Sequence, residues 1–270
     1  MRETQLPAKG SAGKEELFGD LETYCMFIGY SRSGHSLIGF LLDAHPNMII
    51  AHELHVLKYI DAGFNEGQIY HLLLERSQAK ADRWQAKAKV GGGPHRFSVP
   101  HQWQGRFHTL RVIGDKQGGG SARHLSKYPD LLQRLRETIN LKIKFIHVVR
   151  NPYDNIKTMA VRKTISLEEA TKYYFSLCET IAEIKKQIAP VDLFEMRHES
   201  FIASPQVILK ELCHFLGQDA PDDYLNDCAS IVYKSPHRSR HDTKWDHTLI
   251  DMVRERMAEF AFLKGYSFET

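Results

Sequence analysis

The sequence predicts a single α/β domain in which a central parallel sheet of about five strands is flanked by helices. Short apolar runs of strand length recur along the chain, and segments with helical spacing of apolar residues separate them. Strands that alternate with helices in this way form parallel sheets with right-handed connections. We place the domain at residues 22–270, after a flexible N-terminal tail at 1–21 that lacks apolar periodicity.

The first strand, turn and helix predict a phosphate-binding loop. Residues 25–28 form a short apolar strand, and residues 29–34 form a turn that begins and ends with glycine. Apolar residues then recur at helical spacing, at Leu37, Ile38, Leu41 and Leu42. Such a turn lets backbone N–H groups and the positive helix end face an anion. The guanidinium of Arg32 can form bidentate hydrogen bonds to phosphate oxygens. In an ordinary strand-to-helix turn Arg32 would have no such role. The domain is therefore predicted to be of the P-loop type.

The loop departs from the nucleotide-triphosphatase signature GxxxxGK[ST] at one position. Gly29, Gly34 and Ser36 match it, but His35 stands where the signature has lysine. That lysine normally reaches the β and γ phosphates. Its replacement argues against hydrolysis of ATP or GTP.

Residues 31–37, followed by Leu-Asp-Ala-His-Pro at 42–46, resemble the sulfotransferase family that uses 3′-phosphoadenosine 5′-phosphosulfate (PAPS). The motif is most similar to the branch that contains tyrosylprotein and carbohydrate sulfotransferases, although His35 replaces a threonine of that pattern. The resemblance implies that the donor binds to the loop residues Arg32, Ser33, Gly34, His35 and Ser36.

A second strand, at 48–51, is followed by Glu53 at its carboxyl end, where parallel sheets place their ligands. A glutamate in this position can also be a helix cap or a surface residue. The resemblance implies that Glu53 is the general base. His52 and His55 flank it and could share the proton chemistry or line the cleft.

A long helical pattern at 65–88 ends at the glycine-rich segment 91–94. Residues 97–107 then predict an irregular insert, either a surface loop or a wall of the acceptor site. A third strand at 110–114 leads to Lys116 and three glycines. Two interpretations of Lys116 stay open, a solvated loop lysine and a cleft lysine near the sulfuryl group.

A fourth strand, at 144–149, runs into Arg150 and a helix that begins at Pro152. Thr158 lies about two turns further on and is predicted to point back toward Arg150, so that both side chains can grip one phosphate. This arrangement resembles the family's arginine-x-proline motif with a hydroxyl residue eight positions after the arginine. The resemblance implies that Arg150 and Thr158 hold the donor's 3′-phosphate.

The C-terminal part contains a helix at 166–188, a further strand at 191–196 and a basic segment with a tryptophan. Arg197 and Glu199, after the strand, are predicted to be a supporting pair. In the family a basic segment folds over the nucleotide, which implies cofactor contacts for Arg240 and Lys244. The alternative is a charged, solvated loop.

Composition limits the class of protein. The net charge of +3 is too mild to imply nucleic acid as a partner. The four cysteines form no CxxC pair and are predicted to be reduced core residues, which favours a cytoplasmic location. No apolar run approaches the roughly 20 residues that span a bilayer, so no membrane association is predicted. The fifteen histidines lack metal-ligand spacing, so no metal is predicted.

These observations predict an enzyme, a sulfotransferase that moves a sulfuryl group from PAPS to an acceptor hydroxyl by in-line transfer. Glu53 would accept the proton, while Arg32 and Lys116 would stabilise the leaving phosphate. The acceptor is a hydroxyl-bearing small molecule, sugar or tyrosine. A P-loop small-molecule kinase and a non-catalytic nucleotide-binding protein are the alternatives.

Overall fold

A computed structural model describes residues 17–92 and 95–270. Its central sheet has five strands in the order β2-β3-β1-β4-β5, and every pair of neighbours is parallel. The predicted α/β class and the five-stranded parallel sheet are therefore confirmed. Strands β1 to β5 are Thr23–Ile28, Met48–His52, Val112–Lys116, Lys142–Val149 and Leu193–Arg197.

Helices connect the strands and follow the last one. Helices α1 to α11 are His35–Asp43, Val56–Asp61, Glu66–Lys87, Gly119–Lys127, Leu131–Thr138, Pro152–Lys163, Leu167–Lys186, His198–Ala203, Pro205–Phe215, Asp222–Ser230 and His247–Ala258. Short 3₁₀ turns occur at Pro190–Asp192, Ser239–Asp242 and Ala261–Leu263, and a π turn at Ala88–Gly92 follows α3. Capping boxes start the two longest helices, with Asn65 and Ser166 as the N-caps.

Helices cover both faces of the sheet. Successive side chains of a strand point to opposite faces, and β1 is buried along its whole length. Tyr24 and Met26 accordingly belong to the core that includes α7, whereas Cys25 and Phe27 belong to the core that includes α1 and α9. A central strand buried on both faces must be apolar throughout, which explains the continuous run that the sequence shows.

The strand order determines where a ligand can bind. The chain moves from β1 to the far edge at β2, returns through β3 and then crosses to β4 on the other side of β1. This crossing creates a switch point at β1, and open parallel sheets bind ligands beyond the carboxyl ends of their strands at such a point. The segments after β1, β2, β3 and β4 are therefore brought to one edge.

The predicted tail is only partly described, whereas the predicted insert at 97–107 is described throughout. Residues 1–16 of the tail lie outside the described residues, and Phe18 packs on Tyr70 with ring centroids 5.5 Å apart. The insert folds against α1, because the Gly105 amide donates to Asp43 Oδ2 at 3.1 Å and Gln104 Nε2 donates to the Phe40 carbonyl at 3.1 Å. Within the described residues, no helix is long and apolar enough to cross a membrane.

Candidate functional site

The loop between β1 and α1 is shaped to receive an anion. Arg32 and Gly34 both have left-handed backbone conformations, with φ of 73° and 106°. Gly34 is the N-cap of α1 and supplies no side-chain cap, so the first N–H groups of the helix are left for a ligand. A Cβ atom at Gly34 would lie 2.3 Å from Nδ1 of His198, which explains why glycine occupies this position.

Two loop side chains that were predicted to contact the cofactor instead point into the protein. Ser33 is fully buried, and its hydroxyl donates to the Tyr30 carbonyl at 3.1 Å. The His35 ring is buried beside it, with Nδ1 3.2 Å from Ser33 Oγ. Burial, together with the charge of Lys116, holds the pKa of His35 well below its usual value. His35 is thus a neutral support under the loop, and Ser33 and His35 can meet an anion only through backbone N–H groups.

Glu53 and Lys116 form an ion pair at the edge of the sheet. The strand register pairs His52 with Lys116, so the two strand ends lie side by side. Lys116 Nζ lies 2.9 Å from Glu53 Oε1, and the side chains are 5% and 56% exposed, respectively. Burial favours the neutral form of Glu53, but the charge and hydrogen bond of Lys116, together with the charges of Lys80 and Arg32, outweigh it, so the pKa of Glu53 is lowered. Glu53 is therefore an accessible carboxylate, and Lys116 is a buried cleft lysine rather than a solvated one.

Asp115 positions the segment that carries Glu53. Its carboxylate accepts hydrogen bonds from the N–H groups of Leu54, His55 and Val56 at 3.1, 2.8 and 3.1 Å. These bonds support a left-handed conformation at Glu53, where φ is 60°. Sequence reasoning missed this role, although an aspartate within an apolar strand is itself a signal of a buried structural contact.

The histidines beside Glu53 are packed against other rings. His52 lies against Phe40 with centroids 4.4 Å apart, and His55 lies against His124 at 5.5 Å. Burial and nearby cations lower the pKa of His52 to about 2 and that of His55 to about 4. Both imidazoles are therefore neutral at physiological pH.

Arg150, Thr158 and Ser239 form a second group suited to an anion, which we call the arginine–hydroxyl group. Arg150 Nη1 lies 3.4 Å from Thr158 Oγ1, and Nη2 lies 3.4 Å from Ser239 Oγ. The two hydroxyl oxygens are 3.2 Å apart. The structure thus brings Arg150 and Thr158 together as predicted and adds Ser239, which sequence reasoning missed because it lies 81 residues further along the chain.

The arginine–hydroxyl group is tied directly to the phosphate loop. Arg150 Nη1 donates to the carbonyl of Arg32 at 3.3 Å, and Asn155 Nδ2 donates to the carbonyl of Ser31 at 2.8 Å. Asn155 is a second contact that sequence reasoning missed, although it lies between Arg150 and Thr158 on the same motif. The two anion-binding regions are consequently neighbours.

The structure does not bring Arg240 or Lys244 to this group as ligands. Arg240 is 1% exposed, and its guanidinium pairs with Asp154 Oδ2 at 2.7 Å and donates to the Phe268 and Thr270 carbonyls. A guanidinium held in this way fixes the segment that carries Ser239. Lys244 is exposed and forms no hydrogen bond or ion pair with any residue in the described ranges.

The predicted supporting pair after β5 is structural. Glu199 accepts from the Asn151 amide at 2.8 Å and from the Tyr266 hydroxyl at 2.8 Å. Arg197 stacks on the Tyr266 ring at 4.6 Å.

In the part of the chain that the structure describes, no three metal-ligating side chains form a group that could hold a metal ion.

The fold and the site define a parallel α/β protein with two adjoining regions suited to anions at its strand ends and a carboxylate–lysine pair beside them. The model of the sulfotransferase family matches residues 26–222, and the chain belongs to this family.

The architecture resembles that of a solved sulfotransferase domain. The sulfotransferase domain from the curacin biosynthetic pathway has 19% identity over 88% of this chain and 97% of that chain, with a TM-score of 0.53. The corresponding domain of the Synechococcus PCC 7002 olefin synthase has 21% identity over 87% and 88%, with a TM-score of 0.49. A mouse sulfotransferase solved in complex with PAP has 11% identity over 87% and 74%, with a TM-score of 0.42. No curated protein matches the chain significantly.

Replacement of Arg32 by alanine is expected to weaken donor binding and turnover together, and to do so more than Lys116→Ala. Arg32 is exposed within the loop, whereas Lys116 is already engaged by Glu53. Titration with PAP (adenosine 3′,5′-bisphosphate, the nucleotide that remains when PAPS loses its sulfuryl group) and initial rates for each variant would check this order. A larger loss of PAP affinity in Lys116→Ala would show that the two roles are reversed.

Proposed function

We propose that this protein transfers the sulfuryl group of PAPS to a hydroxyl of its acceptor. The observation that supports this function is the contact between the two anion-binding regions, where Arg150 donates to the Arg32 carbonyl at 3.3 Å. PAPS carries negative charge at its 5′-phosphosulfate and again at its 3′-phosphate. A ligand with two such groups matches the loop at 29–36 and the arginine–hydroxyl group.

The residues divide the chemistry between them. Glu53 accepts the proton of the acceptor hydroxyl as that oxygen attacks, and its exposed carboxylate is open to an acceptor. Arg32, Lys116 and the first N–H groups of α1 stabilise the negative charge that gathers on the leaving phosphate. Bound PAPS would supply the activated sulfuryl group, and in-line transfer requires the acceptor to attack from the side opposite the leaving phosphate.

Two other functions receive less support. A small-molecule kinase needs a cation that reaches the β and γ phosphates, but the residue in that position is His35, whose neutral ring points inward. A non-catalytic nucleotide-binding protein needs no accessible carboxylate beside the anion site. Because the Glu53–Lys116 pair supplies such a carboxylate, it favours an enzyme.

The acceptor class and location complete the proposal. The acceptor is a hydroxyl-bearing small molecule, sugar or tyrosine, in keeping with the motif resemblance to the tyrosylprotein and carbohydrate branch. All four cysteines are free and buried, which supports a reducing compartment, the cytoplasm.

Calorimetry with PAP and a transfer assay with radiolabelled PAPS test this function. PAP is expected to bind with equal affinity in EDTA and in Mg²⁺, and label is expected to reach a hydroxyl acceptor. Binding that requires Mg²⁺, or phosphate transfer from ATP to the same acceptors, would favour the kinase. Tight PAP binding without transfer to any acceptor in a broad hydroxyl panel would favour the non-catalytic protein.

A further inference from the structure

A row of basic side chains lies along one side of α3. Its four members are spaced by four, three and four residues, and residues at such intervals stack on one side of a helix. We call it the basic row, and it consists of Arg76, Lys80, Arg83 and Lys87. The acidic residues of this stretch, Glu75 and Asp82, lie about 100° around the helix from the row.

The basic row begins at the proposed general base. Arg76 Nε donates to the His52 carbonyl at 3.1 Å, and Nη2 donates to the Glu53 carbonyl at 3.4 Å. The next member, Lys80, lies over the ring of Trp84, 5.7 Å from its centroid. Burial and the charges of Arg76 and Arg83 lower the pKa of Lys80, and the charge of Glu53 only partly opposes them, so these cations lie within electrostatic reach of one another.

A fifth cation approaches the same place from the insert. The guanidinium of Arg96 lies over the ring of Phe97 at 4.4 Å. Phe97 stacks on Phe40 at 5.4 Å, and Phe40 contacts the His52 ring at 4.4 Å. Aromatic rings therefore hold Arg96 near the strand end that carries Glu53.

The cations in this region form no ion pair within the described residues, although the charge of Glu53 acts on Lys80 at longer range. No carboxylate there lies within ion-pair distance of Arg96 or of any member of the basic row. Like charges at helical spacing repel and destabilise the helix that carries them. An excess of positive charge beside a cleft attracts an anionic ligand.

This region lies to one side of the donor's phosphate regions, at the same carboxyl-end edge of the sheet. The donor's two phosphate regions follow β1 and β4, whereas α3 packs against β2 at the opposite edge of the sheet. Adjacent strands are about 4.8 Å apart, so the end of β2 is roughly 14 Å from the end of β4. The basic row extends about 16 Å along α3 from Glu53. It therefore faces the side from which the acceptor approaches Glu53.

We propose that the acceptor carries an anionic group, a carboxylate or a phosphate, beside the hydroxyl that receives the sulfuryl group. The basic row and Arg96 bind the anionic group, and this binding holds the hydroxyl at Glu53. The inference rests on the proposed sulfotransferase function and specifies the acceptor class for the same site.

Matched acceptor pairs test the inference. One pair is para-hydroxybenzoate and its methyl ester, and the other is glycerol phosphate and glycerol, so that each pair differs in one anionic group. Binding of each compound is measured by calorimetry on protein saturated with PAP, and transfer is measured with radiolabelled PAPS. The charged member of at least one pair is expected to bind about 10-fold or more tightly than its neutral partner. The difference is expected to shrink at high salt.

Variants connect the preference to the basic row. The double change Lys80→Gln and Arg83→Gln is expected to remove most of the preference and leave PAP affinity unchanged. Lys210→Gln, which removes one exposed lysine from α9, serves as the control and is expected to retain the preference. The inference is overturned if neither pair shows a difference, including the case in which no member binds, or if the double variant keeps the preference. Failure of PAP itself to bind would instead overturn the proposed function.

Discussion

Replacement of Glu53 by glutamine is expected to lower turnover by about 10²–10⁴-fold, the range that a positioned proton acceptor contributes. Glutamine keeps the shape of the side chain and can still accept the hydrogen bond from Lys116, which is 2.9 Å long in the native pair. It cannot take up a proton at neutral pH. PAP affinity is expected to remain unchanged, because the phosphate regions do not include Glu53.

Two neutral histidines are the alternative bases, so the comparison includes His52→Ala and His55→Ala. Both rings pack against aromatic neighbours, and circular dichroism on each variant would check that it is folded. The expected order of turnover places Glu53→Gln far below either histidine variant. A Glu53→Gln enzyme with most of its activity, together with an inactive histidine variant, would assign the base to that histidine.

The pH profile alone cannot make this distinction. Burial raises the pKa of Glu53, but Lys116, Lys80 and Arg32 together lower it below its usual value, so the carboxylate form persists as pH falls below the usual glutamate range. His52 and His55, with pKa values of about 2 and about 4, are also unprotonated above roughly pH 5. Turnover should therefore be flat on the acid side between about pH 5 and pH 7 whichever group is the base.

The local sequence predicted the sheet and most of the site because the relevant information lies within short segments. Buried parallel strands favour apolar runs; β1 shows one, and β4 passes from alternating lysines to a mainly apolar, buried second half. The phosphate loop and the pair Arg150 and Thr158 each lie within one strand–turn–helix unit, so helical spacing alone indicates that the two side chains converge.

The remaining contacts depend on long-range packing. Ser239 reaches the arginine–hydroxyl group from a distant segment, and the buried pair of Arg240 and Asp154 holds that segment in place. A sequence shows that Arg240 is charged but does not show which carboxylate neutralises it. The inward orientation of His35 likewise depends on space left by two glycines, Gly29 and Gly118. A Cβ atom would lie 2.9 Å from His35 Cε1 at Gly29 and 2.6 Å from His35 Nδ1 at Gly118.

PAP is expected to bind the native protein more tightly than AMP, and Arg150→Ala is expected to remove most of that difference. The guanidinium of Arg150 lies within 3.4 Å of both Thr158 Oγ1 and Ser239 Oγ, and each hydroxyl can turn its proton from the Asp154 carbonyl toward a bound phosphate. A charged hydrogen bond contributes about 1.5–3 kcal/mol, which corresponds to roughly 10- to 100-fold in affinity. AMP lacks the 3′-phosphate, so calorimetry with both nucleotides isolates this contribution.

Thr158→Val is the matched control for Arg150→Ala, because Arg150 also supports the backbone through the carbonyls of Arg32 and His237. Valine keeps the branched shape and removes only the hydroxyl. We expect a smaller loss of PAP affinity, of about 10-fold or less, since a neutral hydrogen bond contributes about 1 kcal/mol. AMP affinity should be retained in Thr158→Val. Equal loss of PAP and AMP affinity in both variants would mean that Arg150 and Thr158 only maintain the loop, and the 3′-phosphate would then have to be bound elsewhere.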